Sequence, residues 1–269
     1  MRAEPFARER RHTAYFLREI SHYAPVFLGA EIDMTAVRRH QREARARGDR
    51  YPTVSYVVYT AARVLAAHPA ANAALRGGLR PRLAHYDTVA AKLTLDKTMA
   101  GRRVVLSAVL PDVHLRGLRD IAEQTARFRE GDPDRMPEFA GVRALHRLPG
   151  PLGHLAYRMG TRPLRRRITT NGTFSVTSLG HRPVTAFHSV GGTTVTLGLG
   201  AVADRPVVRD GAVAIAPVLP LSLTFDHRVI DGAEAADVLG DLKQALESFA
   251  GSGDGPRDSS TPHEEAVRP

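Results

Sequence analysis

The sequence contains no cysteine. Disulfides, thiolate nucleophiles and zinc–thiolate sites are thereby excluded, and any nucleophile comes from the substrate or from Ser, Thr, His, Lys or a carboxylate. No window approaches the ~18 uninterrupted apolar residues of a membrane span. The N-terminus, MRAEPFARERRH, is charged where a signal peptide needs an apolar run, so a cytoplasmic protein is expected. Lysine is scarce too: Lys92, Lys97 and Lys243 are the only three, so the formal charge of +10 is almost all arginine. In an Ala- and Arg-rich chain this reads as compositional bias. With no aromatic-interleaved basic strand and no recognition-helix motif, no nucleic-acid partner is expected. A basic surface does suit a small polyanionic ligand.

What is present suffices for a large core. The 269 residues are 43% hydrophobic, enough for one large domain or two small ones. Periodicity predicts helices over 10–23, 35–47, 53–68 (stopped by Pro69), 114–130 (closed by Gly131) and 233–249. Strands are predicted over 27–34, 86–95, 103–109, 173–178, 184–190, 193–200, 205–208, 212–216 and 219–225. The pair 205–208 and 212–216 is joined by RDG, a hairpin signal. Residues 132–171 are broken by Pro and Gly and loaded with Arg. The stretch after Gly251 is polar and rich in Gly, Pro and Ser, and reads as a disordered tail. No internal repeat is found.

Several motifs are decoys. GLGAVA, Gly198 to Ala203, matches a dinucleotide-binding pattern and follows a strand, but that pattern needs a helix to begin there. Asp204, Arg205 and Pro206 lead into a hairpin instead, so the glycines read as tight sheet packing. The twelve histidines fall at no convincing metal spacing; no metal is expected, and His181 and His188 read as ordinary residues. No G-x-S-x-G elbow of a serine hydrolase occurs.

The stretch LPLSLTFDHRVIDGAEAADVL carries more. Leu219, Leu221, Leu223 and Phe225 share one strand face, and His227 follows at the strand's end. Val238, Leu239, Leu242, Ala245, Leu246 and Phe249 form the buried stripe of the helix beyond. A histidine between a packed strand and a packed helix is rigid. His227 and Asp231 are then either catalytic or a hydrogen-bonded structural pair, with Asp231 capping the helix.

DHRVIDG resembles the signature of the chloramphenicol acetyltransferase superfamily, in the form found in dihydrolipoamide acyltransferases, the catalytic domains of 2-oxoacid dehydrogenase complexes. FLGAEIDMTAVRRH, HPAANAAL, TFSVTSLG and LGLGAVADRPVVRDG are similar to successive family segments, so the likeness covers roughly 10–131 and 172–249. It implies a chloramphenicol acetyltransferase-like α/β two-layer sandwich with a mixed sheet, assembled as a homotrimer with active sites between subunits. Coenzyme A would enter one end of a channel and a small-molecule acceptor the other. By resemblance His227 is the general base and Thr177 donates to the tetrahedral oxyanion. Asp231 forms a buried ion pair with Arg10 or Arg11 that fixes the His227 loop, and Asp226, Arg228 and Gly232 support the site.

The reading that follows is a single catalytic domain over 1–250, interrupted by an insertion at about 132–171, with the tail 251–269 outside it. The insertion is a lid, a docking surface or trimer periphery. The turn with a Gly-Leu-Val-type run that the resemblance implies is replaced around LDKTMAGRRVVLSAV, where Arg102 and Arg103 would alter the channel rim. With no lipoyl domain recognised, and so no covalently bound lipoate expected on this chain, the first expectation is a coenzyme A-dependent tailoring enzyme. It would move an acyl group, acetyl first, onto a small-molecule hydroxyl in specialised metabolism. The alternatives are a dihydrolipoamide acyltransferase core served by a lipoyl domain in trans, and a trimeric scaffold without catalysis.

Overall fold

A computed structural model describes residue 1 and residues 4–77 and 80–251; the predicted tail lies outside them except for its first residue. In chain order the elements are α1 (Arg11–Ile20), β1 (Pro25–Asp33), α2 (Thr35–Ala46), α3 (Thr53–Ala67), β2 (Ala73–Arg76), β3 (Arg82–His85), β4 (Ala91–Met99), β5 (Arg102–Leu110), α4 (Leu118–Glu130), α5 (Ala140–Arg147), α6 (Gly150–Thr161), α7 (Leu164–Thr170), β6 (Phe174–Ser178), β7 (Val195–Leu199), β8 (Ala203–Arg209), β9 (Ala212–Asp226) and α8 (Gly232–Glu247).

Seven strands form one mixed sheet in the order β1-β9-β7-β6-β4-β5, with β8 also paired to β9. The β4–β6 and β6–β7 pairs are parallel and the others antiparallel. The expected mixed α/β fold is therefore present. The two predicted strands 212–216 and 219–225 are one continuous strand. β9 exchanges partners along its length, pairing with β8 over Ala212 to Val218 and with β1 from Val218 onward, so Pro217 and Pro220 interrupt the pattern without ending the strand.

α3 is buried over most of its circumference, with Tyr56, Val57, Val58, Ala61, Ala62 and Leu65 inside, because the sheet lies on one side and α4 and α8 on others. α8 shows the narrower stripe of a half-exposed helix: Ala235, Val238, Leu239, Leu242 and Leu246, at the spacing of one helix face. That stripe holds α8 against β1 and α3, and so fixes the loop that joins it to β9.

One predicted strand fails for a tertiary reason. The alternating segment 184–190 forms no strand. β7 is already flanked by β6 and β9, so no free edge of β7 is left for it. The segment instead lies across the sheet, with Phe187 O accepting from Ser222 Oγ and Val184 O accepting from Ala201 N at 2.9 Å. Residues 132–171 form the three helices α5, α6 and α7. Their prolines stand before or within the first turn, at Pro149, Pro151 and Pro163, where the missing N–H has no partner to lose.

Candidate active site

β9 delivers His227 to the surface. Asp226 is its last residue, 3% exposed, and Asp226 N donates to Thr194 O at 3.0 Å. The chain then turns tightly, because Asp226 O accepts from Val229 N at 2.9 Å. His227 N donates to Ala24 O at 2.9 Å, which ties the turn to the residue before β1. The imidazole is about half exposed, packed at 5.4 Å against the Phe225 ring and with Nδ1 3.4 Å from Asp231 Oδ1. Nε2 makes no hydrogen bond or ion pair to any of the described residues.

The brace of this turn is not the one the resemblance implies. Asp231 is 88% exposed and stands at the N-cap of α8. Within one subunit it forms no buried ion pair with Arg10 or Arg11: Arg10 is exposed, and Arg11 Nη1 donates to Leu148 O at 2.9 Å. The helical segment after Gly131 takes up Arg11 before it can reach the His227 loop. The buried pair is Asp226 with Arg228, Nε to Oδ1 at 2.8 Å and Nη2 to Oδ2 at 2.5 Å. The carboxylate holds the Arg228 guanidinium above its usual range, and Arg228 lies 4.7 Å over the Tyr23 ring. Gly232 opens α8 with nothing within 4 Å of where a Cβ would stand, so nothing inside the subunit demands glycine there.

Thr177 lies on β6, half-buried, paired with Thr94 of β4 and Gly198 of β7. Gly198 in turn pairs with Ser222 of β9. Thr177 is therefore level with Ser222, five residues before His227. That is ~17 Å along the strand and ~10 Å across two strand spacings. One subunit does not bring His227 and Thr177 together.

Arg102 and Arg103 follow a two-residue turn in which Ala100 and Gly101 both have positive φ, 49° and 75°. Arg103 is paired with Asp96 and Arg102 lies 3.6 Å from Glu9. Among the described residues no three His, Asp or Glu side chains gather as a metal site, and no helix is long and apolar enough to cross a membrane.

Reasoning from the sequence missed the polar centre behind β6. Lys92 is 4% exposed and donates to Asn171 Oδ1 at 2.6 Å and to Gly191 O. Burial, then the nearby Arg167 charge, push its ammonium down to about 7. Only three lysines in the chain, one of them inside an alternating strand, was the available signal.

This curled mixed sheet with its outer helices is the chloramphenicol acetyltransferase-like fold. A chloramphenicol acetyltransferase superposes with a TM-score of 0.52 and 14% identity, over 91% of this chain and 98% of that one. The dihydrolipoamide acetyltransferase of Azotobacter vinelandii superposes with a TM-score of 0.70 and 23% identity, over 92% of each chain. Residues 150–252 match the model of the 2-oxoacid dehydrogenases acyltransferase (catalytic domain) family, the family the motifs resemble. That match starts inside the segment read as an insertion. The dihydrolipoyllysine-residue acetyltransferase component of the Bacillus subtilis (strain 168) pyruvate dehydrogenase complex is 54% identical over 50 residues, 19% of this chain and 11% of the relative. A Staphylococcus aureus (strain Mu50 / ATCC 700699) counterpart is 50% identical over 50 residues, 19% of this chain and 12% of the relative.

These findings overturn the expectation of a tailoring enzyme that acylates a hydroxyl. The relatives above are dihydrolipoyllysine-residue acetyltransferase components, and the structure above with the higher TM-score is a dihydrolipoamide acetyltransferase.

Proposed function

We propose that this chain is the catalytic domain of a dihydrolipoamide acyltransferase, moving an acyl group between coenzyme A and a dihydrolipoyl thiol, with each active site completed by two subunits of a trimer. The observation that carries this reading is the register: His227 and Thr177, the two groups the reaction needs, stand at different levels of one sheet. A second copy must bring a Thr177 to each His227. In the Azotobacter enzyme the residues investigated for their role in the mechanism include a histidine and an asparagine four positions later; His227 and Asp231 have that spacing here.

The chemistry follows from the turn. Asp231 beside Nδ1 favours the tautomer with the proton there, which leaves Nε2 free as the base. Nε2 takes the proton from the dihydrolipoyl thiol as its sulfur bonds to the thioester carbonyl carbon. The carbonyl oxygen becomes an oxyanion and accepts from Thr177 Oγ1–H of the neighbouring subunit. Collapse re-forms the carbonyl and breaks the bond to the coenzyme A sulfur. The departing thiolate takes the proton back from the imidazolium, so no covalent enzyme intermediate is needed in a cysteine-free chain. The domain runs over residues 1–250, with α5 to α7 as its helical addition.

The test is release of free coenzyme A from acetyl-coenzyme A with dihydrolipoamide as acceptor, in wild type and His227→Ala. Turnover that disappears in the variant supports the proposal. Absence of turnover in wild type, with folded protein, sinks it.

A further inference from the structure

Beside the His227 turn lies a cavity of about 550 Å³, within the size range of small-molecule sites. Its walls come from four separate stretches of chain: α1 with His22 just beyond it, the end of β2, the α6–α7 helices and the turn at Gly192, with Arg228 at its inner end. Four guanidinium groups line it, those of Arg76, Arg162, Arg167 and Arg228, against one carboxylate, Glu19.

The charges do not cancel. Arg228 is taken by Asp226. Glu19 is shared among Arg162 at 2.6 Å, Arg158 at 3.4 Å and His154 at 3.4 Å. Arg167 is held only by neutral oxygens, donating to Tyr23 OH at 2.6 Å and to Gly192 O at 2.7 Å. Arg76 has no carboxylate partner among the described residues. Behind Arg167 sits Lys92, enclosed and without a counter-ion. The surrounding groups register the resulting field: burial and then Arg167 lower the Lys92 ammonium, and burial followed by Arg228 lowers His22.

Guanidinium groups fixed by neutral partners, with N–H donors still free, suit the oxygens of a phosphate. Phe16, Tyr23 and Tyr157 add aromatic surface to the same cavity, against which the organic part of such a ligand can pack. We infer that this cavity is a binding site for a small organic phosphate, with Arg76 and Arg167 as its anion-holding residues. The site stands whether or not His227 transfers acyl groups. Its phosphate belongs either to coenzyme A itself or to a separate metabolite.

Calorimetric titration of the full chain at low salt, in a phosphate-free buffer, tests it with inorganic pyrophosphate, coenzyme A and dephospho-coenzyme A as probes. Pyrophosphate is expected to bind once per subunit, and Arg76→Gln and Arg167→Gln each to weaken it about tenfold, the loss of one charge-assisted hydrogen bond. Tighter binding of coenzyme A than of dephospho-coenzyme A, erased by the same substitutions, identifies the phosphate as coenzyme A's own. Binding of coenzyme A and dephospho-coenzyme A that is unchanged by both substitutions, with pyrophosphate still sensitive to them, identifies a separate ligand, whereas equal binding that both substitutions weaken identifies coenzyme A's diphosphate. Arg167→Gln also removes the contacts to Tyr23 and Gly192, so Arg76→Gln, an exposed residue at the end of β2, keeps the test valid if the first variant misfolds. Absence of pyrophosphate binding to wild type, or binding unchanged by Arg76→Gln, overturns the inference.

Discussion

Asp226 and Arg228 close a two-bonded ion pair around His227, at 2.8 Å and 2.5 Å. The residue between them is thereby held at both shoulders, with Asp226 at 3% exposure and also accepting from the Arg228 backbone N–H at 3.2 Å. Asp226→Asn would leave the Arg228 guanidinium without its counter-charge. A buried pair broken on one side costs ~3–5 kcal/mol, and because Arg228 is 25% exposed a value below that range, about 2–3 kcal/mol after discounting for solvent screening, is expected from urea unfolding. Turnover should fall with it. An unfolding midpoint equal to wild type would show that the pair does not brace the turn.

His227→Ala behaves differently. Its side chain is half exposed and its structural bond is made by the backbone, so unfolding stability should stay within about 0.5 kcal/mol of wild type. Thioester turnover with dihydrolipoamide should drop by roughly 10²–10⁴. A variant that keeps both stability and rate removes His227 from the mechanism.

Because the register separates His227 from Thr177, inactive variants should complement each other. His227→Ala and Thr177→Val subunits, unfolded together and refolded in equal amounts, should recover about a quarter of wild-type sites, the fraction in which both required groups come from unaltered copies. No recovery from a mixture confirmed to contain both subunits would place the two residues in the same subunit's site, or in none.

His12 joins α1 to β5 and to α5. Its Nε2 donates to Val105 O at 2.8 Å, so its Nδ1 accepts from His146 Nε2 at 3.0 Å. Burial pushes both imidazoles below the ordinary histidine value. The neutral forms are therefore the ones the fold stabilises: their contribution is full above the unfolded value of ~6.5 and is lost as pH falls through the lower folded values. The protection factors of the α5 amides, exchange rates corrected for the intrinsic pH dependence of exchange, should fall on acidification from pH 7 to 5 in wild type, and less so in His12→Asn. His68 has the opposite sign. Burial would lower it, but hydrogen bonds to Asp241 and Glu234 outweigh that and raise it, so its link between α3 and α8 weakens as pH rises. Protection factors in α5 that hold or rise on acidification would contradict the assignment of His12 and His146.

Gly198 tests the reading of GLGAVA as packing. A Cβ there would press on Phe187 O and Ser222 Oγ, closer than real carbon contacts allow, and Phe187 O is backbone. Gly198→Ala should cost ~1–3 kcal/mol of stability, measured by thermal unfolding. A neutral substitution would mean that segment 184–190 yields easily.

The stretch from Leu219 to Glu247 was legible because each part of it obeys a local rule. Alternation buries Leu219, Leu221, Leu223 and Phe225, and a helical stripe buries Val238, Leu239, Leu242 and Leu246. The turn between them has nowhere else to go. The RDG hairpin was legible for the same reason, since Asp210 and Gly211 adopt the positive φ of 50° and 79° that a two-residue turn needs. Partners distant in sequence were not legible. Whether 184–190 pairs depends on whether β7 has a free edge, and whether Arg10 or Arg11 meets Asp231 depends on what α5 and α6 do to Arg11. Local pattern determined which residues form β9, the His227 turn and α8. Only the tertiary structure decided that Asp226 rather than Asp231 is the buried brace, that His227 and Thr177 are apart within one subunit, and that Arg76, Arg162, Arg167 and Arg228 face a common cavity. Those outcomes depend on competition for edges, counter-ions and space among segments that the sequence keeps far apart.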